Sequence, residues 1–153
     1  VVVHSGPDFF ENRVGVRNTW GTYLRRMSDV SMVFVVGVPA TPNAQVQTRI
    51  EAENAFFGDM IVMDFVDTYN NLTIKTMMTL KFVLLTHWVT RPKYVFKVDD
   101  DSYVNLPNLR KMLFQTSMSV KKNLLVGHVH GTAKKPLKPI VVTAKAARKP
   151  YTG

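Results

Sequence analysis

KYVFKVDDDSYVN, residues 93–105, opens as a run of strand-forming residues (Tyr94, Val95, Phe96, Val98) and ends in three adjacent carboxylates, Asp99, Asp100 and Asp101. The apolar part fits a strand buried in a sheet. Three neighbouring acids repel one another, which costs stability unless a positive group sits among them. Two readings stand at this point. One is a solvated strand terminus. The other is a cluster of hard oxygen ligands for Mg²⁺ or Mn²⁺, with Asp99 and Asp101 reaching one ion and Asp100 turned to another partner. The segment is not an EF-hand, because it lacks that loop's acid spacing, glycine and terminal Glu.

Working outward, the same alternation of strand and helix fills the first 130 residues. VVVHS (1–5) reads as a buried strand closed by the turn pair Gly6-Pro7. A helix follows, with Asp8 placed to cap it and Phe10, Val14, Val16 and Trp20 at helical spacing. SMVFVVGV (31–38) has the unbroken apolar content of a strand covered on both faces. Residues 43–57 read as a more polar helix, 60–65 as a third strand, 71–89 as a long, mostly buried helix, 93–105 as the fourth strand and its end, 106–114 as a helix and 123–129 as a fifth strand. This order predicts an α/β domain with a mainly parallel sheet. Residues 131–153, basic and proline-bearing, read as an extended loop or unsupported tail. Ligands of open parallel sheets bind outside the carboxyl ends of the strands. Three such ends carry polar groups here: His4-Ser5, Asp64 to Asp67, and the aspartate triplet.

Composition narrows the class. With 153 residues and 46% hydrophobic content the chain supports one real core. The net charge of +9 is a property of the tail, because all 11 acids lie at or before Asp101. Without interleaved aromatics that tail is weak support for nucleic acid, and no nucleic-acid partner is expected. There is no cysteine, and no apolar run of membrane-spanning length. The chain starts in an apolar run without Met, and is read as a piece whose start lies upstream. Neither GxGxxG nor GxxxxGK[ST] is present, so a bound nucleotide must be held by a metal and individual side chains.

Further constellations each carry two readings. In RVGVRNTWG, Arg13 and Arg17 lie one helical turn apart and either clamp a diphosphate, order the carboxylates of a site, or form a solvated basic face beside a core Trp20. In DFVDTYNNLTIKT, Asp67 and Lys75 form a buried pair or contact a nucleotide, and Asn70 or Asn71 caps the following helix. Asn71-Leu72-Thr73 is also a glycosylation sequon. His128 and His130 share a strand face, with packing or exposure favoured over a metal role.

Together, RVGVRNTWG, VFVVG, EAENAFFGDMIVMDFVDTYNNLTIKT and YVFKVDDDSYVN resemble, in order and spacing, the β-1,3-glycosyltransferases of the galactosyltransferase type, glycosyltransferase family 31. The resemblance implies a Rossmann-like GT-A type nucleotide-diphospho-sugar transferase fold. Residues 1–130 would be the donor-binding part, and 131–153 a basic tail or loop of the acceptor side. It further implies inverting transfer of galactose or N-acetylglucosamine from a UDP-sugar to a glycan or glycoprotein acceptor. Asp99 and Asp101 would hold Mn²⁺, and Arg13, Arg17, Asp67, Lys75, Asp99 and Asp100 would form the nucleotide-sugar site. Other expectations follow from it: a type II Golgi membrane protein with a lumenal catalytic domain and an anchor absent from this chain, Asn71 as a glycosylation site, and a catalytic base beyond this chain. The competing readings are a metal-dependent phosphoryl transferase or hydrolase, and a noncatalytic basic binding module.

Overall fold

The computed structural model describes residues 1–85, 92–115, 124–127 and 140–143. The chain divides into two compact units, Val1–Leu106 and Pro107–Gly153.

The first unit is built on four strands, β1 (Val2–His4), β2 (Val33–Val38), β3 (Met60–Val66) and β4 (Lys97–Asp99), in the spatial order β3-β2-β1-β4. Every pairing is parallel. The helices of this unit are α1 (Phe10–Asn18), α2 (Ala44–Phe57) and α3 (Leu72–Leu85), with 3₁₀ turns at Trp20–Arg26 and Tyr69–Asn71; α4 (Leu106–Gln115) starts at the boundary and belongs to the second unit. This is the α/β, mainly parallel arrangement that the alternation predicts. Central strands are covered on both faces, and β2 accordingly buries Val33, Phe34, Val35 and Val36 almost completely. Each such side chain contributes roughly 1.5–3 kcal/mol of burial free energy. One face of the sheet packs Val2, Val33, Val35 and Met63 against Met78, Phe82 and Val83 of α3.

Local signals explain most boundaries. Asn43 caps α2 by accepting from the backbone N–H groups of Gln45 and Val46, and Gly58 ends it in the left-handed region at φ 64°. Asp8 does not cap α1: the N-cap is Phe9, which makes no side-chain bond, and the backbone N–H of Phe9 closes a turn onto the Gly6 carbonyl instead. Trp20 belongs to the 3₁₀ turn that follows α1.

Other expectations need correcting. β4 is three residues long, and of its apolar run only Val98 is buried, while Val95 is exposed. The reason is position: among the described residues β4 pairs with β1 alone and forms the edge of the sheet. Over its described residues the long helix is not mostly buried, and 86–89 of its expected span lie outside them. The residues of α3 that are fully buried are Lys75 and Thr79, whereas Met77, Leu84 and Leu85 face outward. Asn71 donates its side-chain amide to the Val66 carbonyl at 2.8 Å. In the second unit, β5 (Leu124–Gly127) pairs antiparallel with β6 (Ile140–Thr143), so the basic stretch contains a strand that the composition hid. His128 and His130 lie outside the described residues.

Candidate active site

The aspartate triplet sits where β4 leaves the sheet, beside the end of β1. His4 is the register partner of Asp99, and the Asp100 backbone N–H donates to the His4 carbonyl at 3.1 Å. Both are at the carboxyl edge of the parallel sheet, where a ligand crevice belongs. The turn that follows is held from α1 and its 3₁₀ extension. Asn12 donates to Asp100 Oδ1 at 3.3 Å, and the indole N–H of the buried Trp20 donates to the Ser102 carbonyl at 2.9 Å. The Ser102 N–H closes back onto the Asp99 carbonyl at 3.2 Å.

The three carboxylates meet different surroundings. Asp99 accepts from Lys97 Nζ at 2.6 Å, and both side chains are exposed. Lys97 is therefore the positive group that offsets part of the repulsion. Asp100 Oδ2 is buried and has no partner among the described residues. Asp101 is exposed and accepts a 3.4 Å contact from the Ser102 hydroxyl. Among the described residues no group of at least three His, Cys, Asp or Glu is assembled to cage a metal. The donor chemistry nonetheless fits Mn²⁺ or Mg²⁺, which take one or two carboxylates and complete their shell with outside oxygens. The orphaned Asp100 oxygen is likewise the kind of group a nearby cation or donor would satisfy.

Arg13 and Arg17 are not free to clamp a diphosphate. Arg13 is fully buried and spends its guanidinium on Glu53, through contacts of 2.6 to 3.0 Å, and on the Ser5 hydroxyl and the Gly6 and Pro7 carbonyls. Arg17 bonds Glu53 and Asp59 and lies over the rings of Phe34 and Phe57. Burial penalises the charge of Glu53, yet hydrogen bonds from Arg13 and Arg17 outweigh it and hold the carboxyl below its usual range. Burial also opposes the charge of Arg17, but its hydrogen bonds to Asp59 and Glu53 outweigh this and raise its pKa above the usual value. The guanidiniums thus order carboxylates, but those of Glu53 and Asp59 rather than of the triplet.

The Asp67–Lys75 pair is buried. Lys75 Nζ meets Asp67 Oδ2 at 2.6 Å and also donates to the Ser5 carbonyl at 2.7 Å. Desolvation lowers the Lys75 pKa, opposed by Asp67. Asp67 also accepts from the Gly37 backbone N–H at 2.9 Å, across the register shift between β2 and β3. The other acid of that strand end, Asp64, is an exposed residue within β3. His4 Nε2 contacts Thr79 Oγ1 at 3.1 Å and its Nδ1 is buried without a partner. Desolvation, then the charges of Lys97 and Lys75, push its pKa down to about 4.

The structure brings His4, Ser5, Asp67, Lys75 and Asp99 to Asp101 to one edge of the sheet, and leaves Arg13 beneath it. Glu53, Asp59, Asn12 and Trp20 were not singled out as site-forming from sequence. Glu53 and Asp59 carry a signal all the same: they are two of the three acids of the block EAENAFFGD, which answers the Arg13/Arg17 spacing of RVGVR.

Known proteins agree with this frame. Residues 11–148 match the family model described as Galactosyltransferase. The chain is 34% identical over 121 residues to beta-1,3-galactosyltransferase 1 of Homo sapiens, covering 78% of this chain and 36% of that protein. It is 37% identical over 123 residues to UDP-GalNAc:beta-1,3-N-acetylgalactosaminyltransferase 1 of Rattus norvegicus, covering 79% of this chain and 37% of the relative. The chain therefore spans little more than a third of the length of these relatives. A match over most of the chain shows that the chain belongs to the galactosyltransferase family.

Proposed function

We propose that this chain forms the donor-binding part of an inverting β-1,3-hexosyltransferase that moves a hexose or N-acetylhexosamine from a UDP-sugar to a glycan acceptor in protein glycosylation. The observation that carries the reading is Asp100. Its backbone is tied to β1, one carboxylate oxygen is held by Asn12, and the other is buried without a partner among the described residues, between two exposed acids at the carboxyl edge of the sheet. Asp101 and Asp99 would hold Mn²⁺. The ion, when bound, supplies positive charge that stabilises the departing diphosphate. The protein's own part is to fix the turn through Trp20 and Asn12, so that the carboxylates meet the donor in one geometry.

The names of the relatives place galactose and N-acetylgalactosamine among the sugars moved by similar proteins, which supports a donor of this class. A Golgi membrane location, with a lumenal catalytic domain, belongs to the same proposal. Among the described residues no helix is long and apolar enough to cross a membrane. Asn71 is the proposed glycan acceptor, and a mobility shift on glycosidase treatment, lost in Asn71→Gln, would establish it.

Calorimetric titration with UDP, in Mn²⁺ and then in EDTA, tests the donor site. Binding should require the metal, vanish in Asp101→Ala and weaken in Asp99→Ala. Equal binding in EDTA would overturn the proposal.

A further inference from the structure

Two buried cations, reaching from opposite faces of the sheet, grip one short turn. Successive residues of a strand point to opposite faces. His4 accordingly meets Thr79 of α3, and Ser5 meets Arg13 of α1. The carbonyls of the turn His4–Pro7 are then taken in order: His4 by the Asp100 N–H, Ser5 by Lys75, Gly6 and Pro7 by Arg13. Arg13 reaches this far into the protein only because Glu53 neutralises it, with both side chains essentially excluded from solvent.

From this we infer that Arg13, neutralised by Glu53, is a positioning residue for the donor site: it holds the turn after β1 in register with Asp100 without touching the donor. The inference rests on the donor-site reading above. The physical argument is preorganisation. A guanidinium fork fixes three acceptors of the turn in one geometry, and the turn is bonded directly to the backbone of Asp100. Loosening the fork lets Asp100 and its neighbours drift, and a misplacement on the ångström scale weakens a charged site strongly. Lysine in place of Arg13 keeps the charge beside Glu53 and loses the fork.

The test uses the full-length protein, measuring UDP affinity in saturating Mn²⁺ by calorimetry and thermal stability in parallel. Arg13→Lys should raise the UDP Kd about tenfold. The matched control is Asp59→Asn, which weakens the same buried network at Arg17 but has no contact with the turn. It should lower Tm and leave the Kd within about twofold of wild type, as a purely structural perturbation does. Should Arg13→Lys not fold, Ser5→Ala removes one acceptor of the fork while leaving the Arg13–Glu53 pair, and a Kd rise of about threefold is expected. Wild-type Kd in the folded Arg13→Lys or Ser5→Ala protein overturns the inference, as does an equal loss of affinity in Asp59→Asn. Absence of UDP binding by the wild-type protein would overturn the donor-site reading itself, and is distinguishable because it precedes any variant.

Discussion

Arg13 and Glu53 stand forty positions apart in the chain and meet in three hydrogen bonds of 2.6 to 3.0 Å, with side chains 1% and 0% exposed. Glu53 also holds Arg17 at 2.7 Å, and Arg17 in turn holds Asp59. The two arginines of α1 and the two acids at the end of α2 and the start of β3 are thus halves of one network. Gly58 makes this possible, because its left-handed backbone turns the chain sharply between Glu53 and Asp59.

Removing Glu53 should therefore be costly. Glu53→Ala leaves a fully buried guanidinium uncompensated, and breaking a buried pair from one side costs about 3–5 kcal/mol. Glu11→Ala serves as contrast: its 3.4 Å contact with Arg49 is exposed and its loss should change stability by less than about 1 kcal/mol. Urea unfolding of both variants measures the difference, and equal costs would refute the account.

Gly37 is predicted to resist substitution for a steric reason. A Cβ there would lie 2.7 Å from the Phe65 carbonyl oxygen and 2.8 Å from Asp67 Cβ, and neither can yield without opening the β2–β3 ladder. Gly37→Ala should cost about 1–3 kcal/mol. Because the Gly37 N–H also donates to Asp67, a measured loss near zero would mean that the register shift there is softer than the structure implies.

Stability should fall between neutral and mildly acid pH because of His4. Its folded pKa of about 4 lies below its ordinary 6.5, so the unfolded chain binds the extra proton first. The contribution of neutral His4 is fully present above pH 6.5 and is lost as pH falls toward about 4, an effect of at most roughly 3 kcal/mol. Glu53, held below its usual range, loses its contribution in a lower window, beneath 4.5. The difference between wild type and His4→Gln in urea unfolding across pH 4 to 7 isolates the first window. A difference that does not vary with pH would count against it.

Lys97 is predicted to matter for cation binding and little for folding. It and Asp99 are exposed, so Lys97→Ala should change stability by less than about 1 kcal/mol. The same ammonium competes for the carboxylate oxygen proposed to hold Mn²⁺, and its loss should tighten Mn²⁺ binding severalfold. Weaker binding in the variant would show that Lys97 assists the site, for instance by holding a phosphate.

Much of the fold was legible because it rests on local pattern. The unbroken apolar run at 31–38 announced a strand buried on both faces, residues 43–57 read as the helix that became α2, and the strand–helix alternation led to a parallel sheet. Burial along β4 and α3 was misread, since whether an apolar run is covered depends on its neighbours. The edge position of β4 and the single packed ridge of α3 are not written in their own residues. The β6 strand escaped notice because composition described its flanks and pairing with β5 defines it.

For the site, the sequence alone determined which groups are available: three adjoining acids at a strand end, two arginines one turn apart, and an Asp and a Lys separated by eight positions. These follow from covalent order and local geometry. Only the tertiary structure decided their assignments, burying Arg13 against Glu53 and Lys75 against Asp67 while leaving Asp99 and Asp101 exposed. The reason is energetic. A charge excluded from water must find an opposite charge and hydrogen bonds within the protein, and those partners come from whatever the fold brings near, at any distance along the chain.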